Sequence, residues 1–303
     1  MASIKKNFAY VLKSIKKDRT LQPKLTDLTN KTYVISGGTR GIGLSIAKSL
    51  SSLGANITLL GKTSTPHAKL EGTMDTAQKE VLEQNPNKTD NVLGSICDIR
   101  NVNMIEESIN KTVDKFGKID GVILNASALC LNPTLNQTSK EIDLMSNVNI
   151  NGTFFVGQKC LKYIKDSDHP NVLLIAPPIE MLYNDDWWIN HLYYSMSKFN
   201  MSLMAKFWDK EFQNVSVNTL WPRTTINTAP VKNLLGGEEM VNISRKKEIV
   251  GEAAKHIICA DPIKCTGKNF IDDEVLASLD IDVEQYRVDE NIKEKDLMPD
   301  FFC

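Results

Sequence analysis

An α/β fold built on a doubly wound parallel sheet of about seven strands, with helices on both faces, is predicted by three observations. A β-type run at Tyr33 to Ser36 empties into the turn Gly37-Gly38-Thr39-Arg40-Gly41-Ile42-Gly43 and then into a helical pattern. Short apolar runs then alternate with helical periods, an order that calls for right-handed crossovers between parallel strands. The 303 residues carry no internal repeat and no low-complexity linker, so one domain of about 250 residues with tails fits better than two halves.

Residues 1–29 read as a basic extension and residues 30–303 as the domain. Ile4, Phe8, Val11, Leu12 and Ile15 share one helical face among lysines, and Pro23 marks the end. That face suits either a mitochondrial targeting segment or a helix packed on the domain; cytoplasmic and peroxisomal locations are the alternatives to a mitochondrial one. The glycine turn suits a nucleotide pyrophosphate, because residues without Cβ let the backbone approach an anion and the next helix presents its N–H groups and positive dipole end. Ile46, Ala47, Leu50 and Leu53 continue at helical spacing as far as Gly54. Asn56 to Leu60 is the second predicted strand, followed by Gly61-Lys62-Thr63 and a polar loop, then a helix over 71–84. Asn91 to Cys97 is the third and ends on Asp98; a helix over Met104 to Phe116 and a strand over Asp120 to Asn125 follow. A long helix is expected over Lys140 to Ile164, a fifth strand over Asn171 to Pro177, and a helix over His191 to Phe212. Val215 to Trp221 is the sixth strand, residues 228–260 read as helical, and Asn269-Phe270-Ile271 is the seventh.

A net charge of −1 excludes a generic nucleic-acid or membrane-surface binder, although the charge is uneven: the first 24 residues hold seven Lys or Arg against one Asp, and residues 271–303 hold eleven acids against three bases. Six cysteines without Cys-x-x-Cys or zinc spacing read as free thiols in a reducing compartment, and four histidines form no metal pattern. No apolar run reaches the roughly 20 residues of a membrane span.

Tyr194 and Lys198 lie four apart at the start of the helix after the fifth strand, hence on one face; Tyr193 is five from the lysine and fits less well. An ammonium beside a phenol of ordinary pKa ~10 is expected to lower it toward a working acid–base range. Together with Asp98 after strand three, Asn125-Ala126-Ser127 after strand four and Asn149-Ile-Asn-Gly152 in the long helix, these motifs resemble the short-chain dehydrogenase/reductase family, in register from about Thr32 to Phe302. Within it the chain most resembles the hydroxysteroid dehydrogenase-like branch, through Gly61-Lys62-Thr63 with Pro66-His67, Leu144-Met145 with Asn147-Val148-Asn149, Pro177-Pro178, Leu220-Trp221-Pro222 and Pro299-Asp300-Phe301-Phe302. Relatives of that branch often carry a C-terminal sterol-carrier domain, which this chain is expected to lack, as it lacks a Ser-Lys-Leu ending.

The resemblance implies a Rossmann-type fold, a nicotinamide cofactor on Gly37 to Gly43, Asp98 at the adenine, Asn125 at the ribose, Tyr194 as acid–base, and Lys198 on the nicotinamide ribose. It also implies Asn149 holding a water of the proton relay, Thr228 near the nicotinamide amide, and a homo-oligomer packed through two long helices. Asp98 as a plain helix cap and Asn149 as a solvent-facing residue are the structural alternatives. Strand two runs into Gly61-Lys62 with no acid until Glu71, and Arg40 sits in the glycine turn, so NADP(H) rather than NAD(H) is expected. Most members place a serine hydroxyl at the end of strand five; here the run is Ala176-Pro177, where neither side chain donates. Losing such a donor costs roughly 100- to 1000-fold in rate, unless Tyr194 carries the oxyanion alone or Tyr183, Asn184 or Tyr193 substitutes. Met181, Leu182, Tyr183, Trp187 and Trp188 would wall an apolar, lipid-like substrate or make a packing contact, and residues 224–245 would form a lid. An NADP-dependent oxidoreductase acting on an alcohol or carbonyl is thus expected; a cofactor-binding protein with little turnover is the alternative that Ala176-Pro177 favours.

Overall fold

The computed structural model describes residues 17–62, 64–65, 72–87, 90–183 and 191–300. The amphipathic face at residues 4–15, Thr63, Pro66-His67, Glu71, Asn184, Trp187-Trp188, Phe301-Phe302 and Cys303 lie outside the described residues.

Seven strands form one parallel sheet in the order β3-β2-β1-β4-β5-β6-β7. They are β1 (Thr32–Ser36), β2 (Asn56–Gly61), β3 (Val92–Ile96), β4 (Gly121–Leu124), β5 (Asn171–Ile175), β6 (Ser216–Trp221) and β7 (Asn269–Ile271). Every residue of β1, β4, β5 and β6 is buried, as expected of central strands covered on both faces. Alternate side chains serve the two faces. Ile35, Ile57, Leu59, Ile123 and Leu173 join one core, and Val34, Leu60, Val122, Leu124, Val172 and Leu174 the other. The first face carries α1 (Gly41–Ser51), α2 (Met74–Gln84) and α8 (Glu248–Cys259); the second carries α3 (Val102–Phe116), α5 (Thr153–Ile164) and α6 (Leu192–Glu211). The sheet switches direction of winding between β1 and β4, and ligands of such sheets bind outside the carboxyl ends there.

Three features depart from the sequence reading. The long helix over 140–164 is α4 (Ser139–Met145), a π-helical segment Ser146–Gly152, and then α5. The 228–260 stretch is a π turn at Val231–Leu235, α7 (Gly237–Asn242), and after a break α8. A further helix, α9 (Asp272–Ser278), leaves β7 directly. Ahead of residue 30, Leu21 and Leu28 are buried in the first core and Thr26 Oγ1 donates to the Cys259 carbonyl at 3.0 Å. All five described cysteines are free thiols, no His, Cys, Asp or Glu group among the described residues could hold a metal, and no described helix is long and apolar enough to cross a membrane.

Candidate active site

The turn from β1 to α1 stands at the carboxyl edge of the sheet. Gly37 (φ +66°) and Gly41 (φ +56°) adopt left-handed backbone. A Cβ at Gly43 would stand 2.4 Å from the Gly37 carbonyl oxygen and 2.5 Å from Asn125 Nδ2, so α1 seats directly on the loop. No side chain caps α1 at Arg40, which leaves the leading N–H groups of the helix without a side-chain partner, the arrangement that suits an anion. Asn125 Nδ2 donates to the Ser36 and Gly37 carbonyls at 3.0 and 3.2 Å, and Ser36 Oγ accepts from the N–H groups of Asn125 and Ala126 at 3.0 and 3.1 Å. The amide expected at a ribose is therefore committed to holding the glycine turn. Thr39 is buried against Gly61, where a Cβ would meet its Cγ2 at 2.6 Å. Thr228 closes the other side, since a Cβ on Gly41 would lie 3.5 Å from its Cγ2.

Two cations flank this cradle. Ser36 pairs with Leu60 in register, so the residues that follow them, Arg40 and Lys62, leave adjacent strands at the same edge. Arg40 Nη2 donates to the Gly72 carbonyl at 3.2 Å, and its buried Nε has no partner among the described residues. Asp98 is gripped by Arg100, whose Nε and Nη2 approach to 2.9 and 2.5 Å, and with Lys62 nearby this holds the carboxyl below its usual range. Asp98 does not cap the next helix. Asn101 does, accepting from the N–H groups of Asn103 and Met104 at 3.0 and 3.3 Å.

Asn149 sits in the π segment and is fully buried, not solvent-facing. Its Oδ1 accepts from Ala128 N–H at 2.7 Å and Ser127 Oγ at 3.2 Å, while its Nδ2 donates to the Ala128 carbonyl at 2.9 Å and Ser197 Oγ at 2.8 Å. All four side-chain positions are thus taken by protein. The amide itself therefore has no free position for a relay water.

Tyr194 and Lys198 are both buried on α6. Lys198 Nζ donates to the Ile175 carbonyl at the end of β5, 2.7 Å away, and lies 5.1 Å from the Trp221 ring centre at the end of β6. Burial lowers this ammonium from 10.5 to about 7, partly opposed by Asp300. Burial raises the Tyr194 phenol well above its ordinary value, and Asp300 raises it further. The direction is opposite to the lowering expected from a lysine neighbour: burial dominates and Asp300 adds to it.

The glycine cradle, the uncapped helix start and Arg40, whose Nε has no partner among the described residues, fit the phosphates of a dinucleotide. The short chain dehydrogenase family model matches residues 31–236, spanning all these positions. The chain belongs to the short-chain dehydrogenase family. Hydroxysteroid dehydrogenase-like protein 2 of Danio rerio is 37% identical over 91% of this chain and 64% of its own length. The human protein of that name is 37% identical over 92% of this chain and 65% of its own. The chain therefore spans somewhat under two thirds of these relatives. A protein of Xanthomonas campestris described as a dehydrogenase has a crystal structure that superposes with TM-score 0.82 at 36% identity, covering 92% of this chain and 99% of that one. A short chain dehydrogenase of Mycobacterium thermoresistibile gives 0.81 at 37%, covering 90% and 95%.

This chain has Ala176-Pro177 where a serine is usual in the family. The Ala176 N–H is spent on the Leu220 carbonyl at 3.2 Å, and the Pro177 carbonyl accepts from Ser202 Oγ at 2.6 Å. Tyr193 does not fill the gap. Ser146 Oγ donates to the Ile142 carbonyl at 2.8 Å, so Tyr193 is the donor in its 2.5 Å bond to Ser146, and its proton is used. Three functional contacts were missed by sequence reading: Ser36 in the cradle, Ser197 beneath Asn149, and Asp300 near the Tyr194–Lys198 pair. Only Asp300 left a signal, in Pro299-Asp300 near the C-terminus. Beside the site, Leu129, Cys130, Leu131, Leu234 and Leu235, with Asn132 and Glu141, line a cleft of about 330 Å³ between the loop after β4 and the π turn at 231–235.

Proposed function

We propose that this protein is an NADP(H)-dependent oxidoreductase that interconverts an alcohol and a carbonyl on an apolar, lipid-like substrate. The observation that carries the reading is the contact of Lys198 with the ends of β5 and β6, on the sheet edge that also bears the glycine cradle, with buried Tyr194 one turn before it on α6. Residues 37–43 and the start of α1 would hold the pyrophosphate, Arg40 and Lys62 the 2′-phosphate, Asp98 the adenine, and Lys198 and Thr228 the nicotinamide end. Bound there, the cofactor supplies or accepts the hydride. Arg40 and Lys62 at a β2 end without an acid favour the phosphorylated form.

Tyr194 keeps its proton at neutral pH because burial and Asp300 raise it, so it would serve as the proton donor to a carbonyl oxygen. Lys198, near its midpoint at pH 7, can return that proton to the phenol. Asn149 keeps α6 and the 127–128 loop in one geometry through its four bonds. The leucine-lined cleft beside the site supports an apolar substrate. Phe207, Met196 and Leu203 on α6 with Phe154 and Tyr163 on α5 are exposed, which supports a homo-oligomer packed through these helices.

The absence of a side-chain or backbone donor at Ala176-Pro177 favours a second reading, a cofactor-binding protein with little turnover. Steady-state NADPH oxidation with medium-chain aldehydes and ketones, alongside titration with NADPH and NADH, separates the two. Turnover with at least about tenfold tighter NADPH, a preference erased in Arg40→Ala/Lys62→Ala, is expected. Tighter NADH refutes the cofactor assignment, and tight NADPH without turnover supports the second reading.

A further inference from the structure

The C-terminal segment runs beside the end of β6, against whose Trp221 the α6 lysine packs. Leu297 is buried, Thr225 N–H donates to the Met298 carbonyl at 2.9 Å, Pro299 bridges antiparallel to Thr224, and Asp300 N–H donates to the Arg223 carbonyl at 2.8 Å. This zipper brings Asp300 Oδ1 to 2.8 Å from Trp221 Nε1, while the face of the same indole receives Lys198 Nζ at 5.1 Å. One ring thus links a carboxylate at its edge to an ammonium over its face. A carboxylate accepting from the indole N–H adds negative charge to the ring system, which strengthens its attraction for a cation.

We propose that Asp300 is a positioning residue for Lys198, acting through the Trp221 indole, so that the C-terminal segment is part of the active site. The proposal rests on the reading of Tyr194 and Lys198 as the proton-handling pair. Around Lys198, β5 contributes the Ile175 carbonyl, β6 the Trp221 ring, α6 the Met201 sulfur at 3.3 Å, and the C-terminal segment the Asp300 carboxylate. Asp300 is the charged group that acts on both members of the pair, and it favours the protonated form of each. Its removal is expected to move the lysine further down.

The test is an NMR titration of the full chain labelled with 13Cε-lysine, the Lys198 signal being assigned by its loss in Lys198→Met. Asp300→Asn keeps an acceptor for the indole N–H but removes the charge. It is expected to lower the Lys198 midpoint by about half a pH unit or more, and Asp300→Glu to restore it. Trp221→Phe, which keeps a ring but releases the carboxylate, is expected to shift it in the same direction. The alkaline limb of kcat/KM is expected to move down with the midpoint. An unchanged Lys198 midpoint in folded Asp300→Asn overturns the proposal. The titration needs no turnover, so it is decided even if the oxidoreductase reading fails.

Discussion

Lys198 is a cation buried almost completely, with a backbone carbonyl and an aromatic face around it. Because its folded pKa is depressed from 10.5 to about 7, the unfolded chain binds more protons between those values. Stability therefore rises with pH through that window, and the handicap is full at and below pH 7. Lys198→Met removes it: urea unfolding is expected to show the variant more stable than the parent at pH 6 by more than about 1 kcal/mol, with the gap closing toward pH 10. Asn149→Ala is expected to act oppositely and to destabilise by roughly 1–3 kcal/mol, because Ala128 and Ser197 lose buried partners. The spacing of Tyr194 and Lys198 and the glycine turn were legible because they are local. The Asn149–Ser197 bond and the Trp221–Asp300 bond were not, since each joins positions 48 and 79 residues apart that only the crossovers bring together. The tyrosine pKa was misjudged for a related reason: spacing shows a neighbour but not the burial that dominates it.

At the scale of elements, the strands were legible because buried parallel strands read as unbroken apolar runs, with Tyr33-Val34-Ile35 and Val172-Leu173-Leu174-Ile175 as clear cases. The helix ends were less so. The Asn-rich run 147–151 keeps helical periodicity while its hydrogen-bond ladder widens to a π segment, and Gly236-Gly237 breaks what reads as one helix. The junction of β7 and α9 holds a network with no sequence signature. Asp273 accepts from Arg223 Nε at 2.8 Å and Arg245 Nη1 at 3.0 Å, Glu274 and Glu294 complete the pairs, and Arg245 is wholly buried. Asp272 beside it accepts from the Arg223 and Asp273 N–H groups, while its Oδ2 has no partner among the described residues. Burial, then the Asp273 charge, raises this carboxyl from 3.8 to about 7. The folded chain thus holds a proton that the unfolded chain releases between those values, and stability from this group falls as pH rises through the window. Asp272→Asn is expected to flatten that slope, gaining more than about 1 kcal/mol over the parent at pH 8 relative to pH 4 in chemical denaturation.

At the scale of the whole molecule, the glycine cradle and Lys198 lie along one sheet edge, and the second face carries an apolar stripe on α5 and α6. Phe207 is 65% exposed within that stripe, an unusual cost for a ring in water. Phe207→Glu is expected to shift the protein to a lower oligomeric state by sedimentation velocity, with the monomer fold kept by circular dichroism. The central claim, that one buried phenol exchanges a proton while hydride passes at the same edge, is tested most directly by single-turnover stopped-flow oxidation of NADPH with a reactive apolar carbonyl, comparing the parent with Tyr194→Phe. A loss of about 100-fold or more is expected, with NADPH affinity within about threefold of the parent. A hydride-transfer rate unchanged by the substitution would contradict it.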